Sequence, residues 1–136
     1  MERKFVAVSV SVGVLLGVVN CFPAPDQRDL IIDFHRDCLD THDVLEDALH
    51  DALNGATPEE HDFYLHIICA AKKAKIINDD GIVNTDNIEQ DLKDVILEEN
   101  MANVAAIIRK CLVQREDTLT TIKEGAQCFF KEEHNL

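Results

Sequence analysis

The chain has 136 residues, 26 acidic against 13 basic side chains and a formal net charge of −13, with 46% of its residues apolar. A charge of that sign argues against nucleic acid or an anionic membrane as partner, since both would repel it. The acids are spread along the chain, which fits a solvated outer surface better than an acid-specific ligand site.

Met1 to Lys4 is a short basic start, and Phe5 to Val19 is an uncharged run of small and apolar residues, the pattern of a secretory signal peptide. Residues 1–21 are expected to be removed by cleavage after Cys21, with cleavage after Asn20 as the alternative. The run falls short of the ~20 apolar residues that a spanning helix needs, so a secreted, extracellular protein without stable membrane insertion is expected. Residues 22–136 remain as 115 residues, enough for one domain and too few for two. Loss of Glu2, Arg3 and Lys4 leaves 11 basic against 25 acidic residues, a net charge of −14.

Beyond the signal segment the periodicity predicts helix almost throughout. Asp26 is a candidate cap for a first helix with Leu30, Ile31, Phe34 and Cys38 on one face. A second helix carries Val44, Leu45, Ala48, Leu49, Ala52 and Leu53 and stops at Asn54-Gly55. Thr57, Pro58 and Glu60 read as a capping box with proline at the first helical position, which predicts a long central helix over 57–77. That helix bears two apolar stripes, Phe63, Ile67, Ala70, Ala71 and Ala74 on one side and Leu65, Cys69 and Ile76 on another, so it should be packed on two sides.

Asn78-Asp79-Asp80-Gly81 breaks the pattern, and Asp86 with Glu89 predicts the cap of a fourth helix that presents Ile88, Leu92, Val95 and Ile96. The pattern restarts near Glu98 for a fifth helix with Val104, Ile107, Ile108, Cys111 and Leu112. Asp117-Thr118 caps a sixth, with Leu119, Ile122, Ala126, Cys128, Phe129 and Phe130. Strand-like alternation is absent, which predicts an all-α, single compact domain of about six helices.

Candidate chemistry is sparse. Ile76 to Asn87 has calcium-loop residues in its middle, but Ile76 and Asn87 occupy the first and last positions, where oxygen donors are required. The six histidines, His35, His42, His50, His61, His66 and His134, form no HExxH and read as surface or helix-edge residues. They gain charge between about pH 5 and 7, which motivates an acid-triggered release. No nucleophile elbow, phosphate loop or zinc spacing occurs, so neither enzyme activity nor any cofactor or metal is expected. Cys38, Cys69, Cys111 and Cys128 are an even set in a small secreted chain and point to two disulfides, with three pairings open.

The spacing of those four cysteines, 30, 41 and 16 intervening residues, resembles that of the insect odorant-binding proteins, the PBP/GOBP family. Full members carry six cysteines; the second stands four residues before the third and the fifth nine before the last, positions held here by Leu65 and Leu119. Those two cysteines bond to each other in the family, so the chain resembles the four-cysteine Minus-C subgroup, which lacks one whole disulfide. The resemblance implies the pairing Cys38–Cys69 and Cys111–Cys128, six helices around an apolar cavity, and a looser tie between the central and last helices. It also implies a secreted carrier of small hydrophobic molecules, such as odorants or pheromones, with transient contact to a membrane receptor and a monomeric or weakly dimeric state.

Given that fold, the expected ligand-binding residues are Leu49, Ile67, Ala71, Leu92, Ile96, Val104, Ile108, Leu112, Ile122 and Phe130. Tyr64, the one tyrosine, is expected either to orient a ligand or to lie at the surface end of the central helix, and Phe129 and Phe130 to form part of a lid or wall. The competing function is a non-carrier interaction protein with a solid helical core and an acidic partner-binding surface.

Overall fold

The computed structural model describes residues 22–135; the expected signal peptide and its cleavage site lie outside the described residues. Six helices follow in order: α1 (Pro25–Thr41), α2 (Glu46–Leu53), α3 (His61–Lys73), α4 (Ile88–Asp91), α5 (Glu98–Cys111) and α6 (Thr118–Glu133). Among the described residues there is no strand, only an isolated bridge between Ile77 and Val83. The all-α class and both disulfides, Cys38–Cys69 and Cys111–Cys128, are as expected, with Cα separations of 5.8 and 5.5 Å.

The central helix α3 packs against α1 on one side and α6 on another, and α5 packs against α6. Cys69 faces α1 and forms the first disulfide, while Phe63, Ala70, Ala71 and Ala74 are buried in the core. Most of the core is one cluster that includes Ile31, Leu49, Phe63, Tyr64, Ile88, Val104 and Phe130; a smaller one gathers Ala71, Ile77, Leu112 and Ile122.

Several helix ends differ from the expected ones, each for a local reason. The α3 helix begins at His61, not Thr57, because Glu60 is extended (ψ 134°) and the buried Tyr64 hydroxyl donates to the Pro58 carbonyl, which would otherwise serve a helical amide. It stops at Lys73, since the chain turns left-handed at Lys75 (φ 64°) while Ile76 N bonds Ala71 O and Lys75 N bonds Lys72 O. That is a Schellman ending with lysine where glycine is usual. The same pair of bonds closes α1 at Asp43 (φ 55°) and α2 at Gly55 (φ 102°).

The α1 helix starts with Ala24 as cap and Pro25 at its first position, so Asp26 lies inside the first turn. The fourth helix is a single turn with Asn87 rather than Asp86 at its N-cap position and no side-chain capping bond, and Glu89 instead forms two bonds of 2.7 and 2.8 Å to the Arg109 guanidinium. Leu92, Val95 and Ile96 still face inward, although they stand on successive turns rather than on a helix. Asp117 caps α6 as expected, its carboxylate accepting from Thr120 N at 2.7 Å.

A buried glutamine holds those turns. Gln27, fully buried on α1, donates through Nε2 to Val95 O at 2.8 Å, and its Oε1 accepts from Leu97 N at 2.8 Å and Asn100 Nδ2 at 2.9 Å. One side chain thus replaces the helical bonds that the α4–α5 connection lacks.

Candidate functional site

An apolar cavity of about 160 Å³ lies between the helices. It exists because α3 turns three small side chains, Ala70, Ala71 and Ala74, toward Leu92, Ile96 and Val104 and toward Ala126 and Phe130 of α6, leaving space that larger residues on α3 would fill. All ten residues expected to bind ligand border this space: Leu49, Ile67, Ala71, Leu92, Ile96, Val104, Ile108, Leu112, Ile122 and Phe130. Ile31, Phe34, Leu53, Ile76, Val95 and Phe129 also border it. Phe129 and Phe130 are wall residues of a helix that continues to Glu133, not parts of a separate lid.

Among the described residues, His35 on α1 is the one ionisable or hydrogen-bonding side chain in this wall; Cys111 is the only other with a polar side-chain atom, and its sulfur is bound in a disulfide. Nδ1 of His35 lies 2.9 Å from Nε2 of His66, and Nδ1 of His66 lies 2.6 Å from the Phe63 carbonyl. Phe63 packs its ring edge-on to His66 with centroids 4.8 Å apart. Burial holds the His35 pKa down to about 3, helped by His66 and Lys73, and that of His66 down to about 4 despite the Phe63 hydrogen bond. His66 is therefore a core residue, not a surface or helix-edge one, and neither ring gains charge between pH 5 and 7.

Tyr64 does not border the cavity. It is buried among core side chains, its hydroxyl donating to Pro58 O and accepting from Gln127 Nε2 at 3.2 Å, so it neither orients a ligand nor lies at the surface. At the two positions where six-cysteine proteins carry their extra pair, Leu119 packs on the larger core cluster and Leu65 is half-buried.

A sequence model described as the PBP/GOBP family matches residues 23–132. The chain belongs to the PBP/GOBP family. This odorant-binding family consists of small binding and carrier proteins rather than enzymes, and the all-α fold with two disulfides agrees with it. No curated protein and no solved structure matches the chain. Among the described residues of this PBP/GOBP protein, no helix is long and apolar enough to cross a membrane, and no group of three or more metal-ligating side chains occurs. Within the stretch Ile76 to Asn87 the turn is arranged by Asn78, whose side-chain oxygen accepts from Asp80 N and Ile82 N at 2.9 Å each.

The sequence marks neither His35 nor Gln27 as a residue of the site. A histidine beside Phe34 on an otherwise polar helix edge carries no mark of facing a cavity; only its spacing of four residues from Ile31, itself on the apolar face, would have placed it near that face. For Gln27 no local signal exists, since its partners are about 70 residues away.

Proposed function

We propose that the protein is a secreted carrier that takes small hydrophobic molecules into the cavity between α1, α3, α5 and α6 and transports them through aqueous fluid. The observation that supports this reading most is an apolar space between the helices with one polar side chain on its wall among the described residues. Transfer of apolar ligand surface out of water, at about 25 cal/mol per Å², is the driving force, and no bond is made or broken. A solid-core interaction protein would have no use for the void, since unfilled core volume costs stability.

An apolar cavity of about 150 Å³ accommodates a guest the size of benzene, so a volume of about 160 Å³ favours a single ring or a short chain as ligand. Longer chains require the wall to yield. Its most adaptable part is the run Leu92–Ile96, which lies outside regular helix. The paired leucines Leu65 and Leu119 favour the four-cysteine Minus-C subgroup, and the basic and apolar segment 1–21 favours secretion.

Displacement of a fluorescent hydrophobic probe by a panel of alcohols, esters and fatty acids of graded length tests the proposal. Displacement should be best for the shorter members, and a panel without any displacement overturns the carrier reading. Mass measurement of the secreted protein, with and without reduction, checks cleavage near Cys21 and the count of two disulfides.

A further inference from the structure

The hydrogen-bond chain behind the cavity wall fixes which proton each imidazole carries. The Phe63 carbonyl can only accept, so Nδ1 of His66, 2.6 Å away, carries the proton. A neutral ring has only one, which leaves Nε2 of His66 as an acceptor for Nδ1–H of His35 at 2.9 Å. Nε2 of His35 is thereby left with a bare lone pair. These assignments follow from the partners of each nitrogen, and both rings stay neutral above about pH 5 because burial disfavours their charged forms.

That nitrogen has no partner among the described residues, and it is not sealed off. Among the described residues the only fully buried side-chain nitrogen or oxygen atoms without a partner are the two carboxylate oxygens of Glu133, so Nε2 of His35 retains open surface on a ring that borders the cavity. Among the described residues no other side chain in the wall offers a hydrogen bond.

We propose that Nε2 of His35 is the ligand-recognising atom of the cavity and that it selects small hydrophobic molecules bearing a hydroxyl group, alcohols or phenols, over carbonyl, ester and ether analogues. This rests on the carrier reading above. An alcohol brings the donor that the lone pair lacks. An aldehyde, ketone, ester or ether brings only acceptors and would set lone pair against lone pair, and a carboxylate would do so with a full charge and no cation on the wall to offset it.

The chain also resists adapting to such ligands. For His35 to donate from Nε2 it must accept at Nδ1, which requires His66 to donate from Nε2 and to present a bare Nδ1 to the Phe63 carbonyl. Two acceptors would then face each other at 2.6 Å in a fully buried place. The backbone carbonyl of Phe63 is thus a lock on the polarity of the site. His66 is a positioning residue that transmits it.

The test uses matched ligands of one chain length, a primary alcohol, the corresponding aldehyde and a methyl ether, together with a hydrocarbon of the same size. Affinities for the purified full mature protein come from calorimetry at pH 7.4. The alcohol should bind about three- to tenfold tighter than the aldehyde and ether, the worth of one net hydrogen bond, and His35→Phe should bring the three to within twofold of one another. Equal affinities in the unchanged protein, or a preference that survives His35→Phe, overturn the proposal while leaving the carrier reading intact. Absence of binding by every compound, hydrocarbon included, overturns both. Long-range proton–nitrogen NMR of the unchanged protein gives a second readout that needs no variant. Nε2 of His35 should be unprotonated in the free protein and shift on addition of the alcohol but not of the ether, and a protonated Nε2 overturns the proposal.

Discussion

Around α1, where it meets α3 and the α4–α5 connection, the buried polar groups come with partners; at the far end of α6 one comes without. His66 and Gln27 are fully buried, and each nitrogen and oxygen that they hide is bonded, to His35 and Phe63 in one case and to Val95, Leu97 and Asn100 in the other. Glu133 is equally buried, yet neither of its carboxylate oxygens has a partner. Burial pushes its pKa up to about 8, with Arg28 only partly opposing, so it stays protonated at neutral pH. The difference shows two ways of hiding a titratable group. One uses a network that fixes geometry, the other simply gives up the charge.

The two regions respond to pH with opposite signs, and this gives the largest effect. Both histidines lie below the ordinary value of 6.5, so the unfolded chain takes up protons that the folded chain refuses as pH falls. Stability from this source is complete above pH 6.5 and is lost toward pH 4 and 3, at up to about 1.4 kcal/mol per pH unit for each ring and less for the partly open His35. For Glu133 the folded chain holds the extra proton, so stability is complete below its ordinary 4.5 and is lost as pH rises toward 8. Urea midpoints measured from pH 4 to 8.5 should therefore pass through a maximum near neutrality. A midpoint that rises steadily on acidification below pH 6 would remove the histidine half of the contrast.

Next in size is Gln27→Leu, which strands Val95 O, Leu97 N and the Asn100 amide and should cost about 2–4 kcal/mol by urea unfolding. Ligand affinity should fall too, because the turn residues Leu92, Val95 and Ile96 that this glutamine holds are part of the cavity wall. Glu133→Leu should act in the other direction, with a gain of about 1–3 kcal/mol at pH 8 that shrinks toward pH 5. A loss at both pH values would mean that the carboxyl group has a role the contrast does not capture. The smallest change is Lys75→Gly, expected to add about 0.5–1 kcal/mol by relieving a left-handed lysine, with ligand binding unaltered.

The sequence is most legible where the determining interaction is local. Asn54-Gly55 marks the end of α2 because glycine takes φ 102° without strain, and Asp117 marks the start of α6 because the backbone N–H from which its carboxylate accepts lies three residues on. The same Schellman ending at Asp43 and Lys75 leaves no such mark, since side chains ill suited to it are held there by surrounding packing. Thr57 to Glu60 has every local feature of a helix start and lies outside the helix all the same, because the buried Tyr64 hydroxyl claims the Pro58 carbonyl.

For the candidate site, periodicity identifies the inward-facing residues, and hence those that border the cavity. It does not reveal the void, which depends on alanines of α3 meeting residues of other elements across the core. Nor does it reveal His35 with His66, whose pairing joins two helices 31 residues apart in the chain.

Each disulfide closes a covalent ring, one over residues 38–69 and one over 111–128, and no bond of that kind joins the rings. Leu49 and Ile67 belong to the first ring, Leu112 and Ile122 to the second, so the cavity lies across a seam held by noncovalent contacts alone. Mechanically the fold is two covalently closed units that meet along α3 and α6. For the proposed carrier, a guest would enter by a small parting of these units while each ring keeps its shape. Hydrogen exchange should register this as amides that open together along the α3–α6 seam and slow when the cavity is filled.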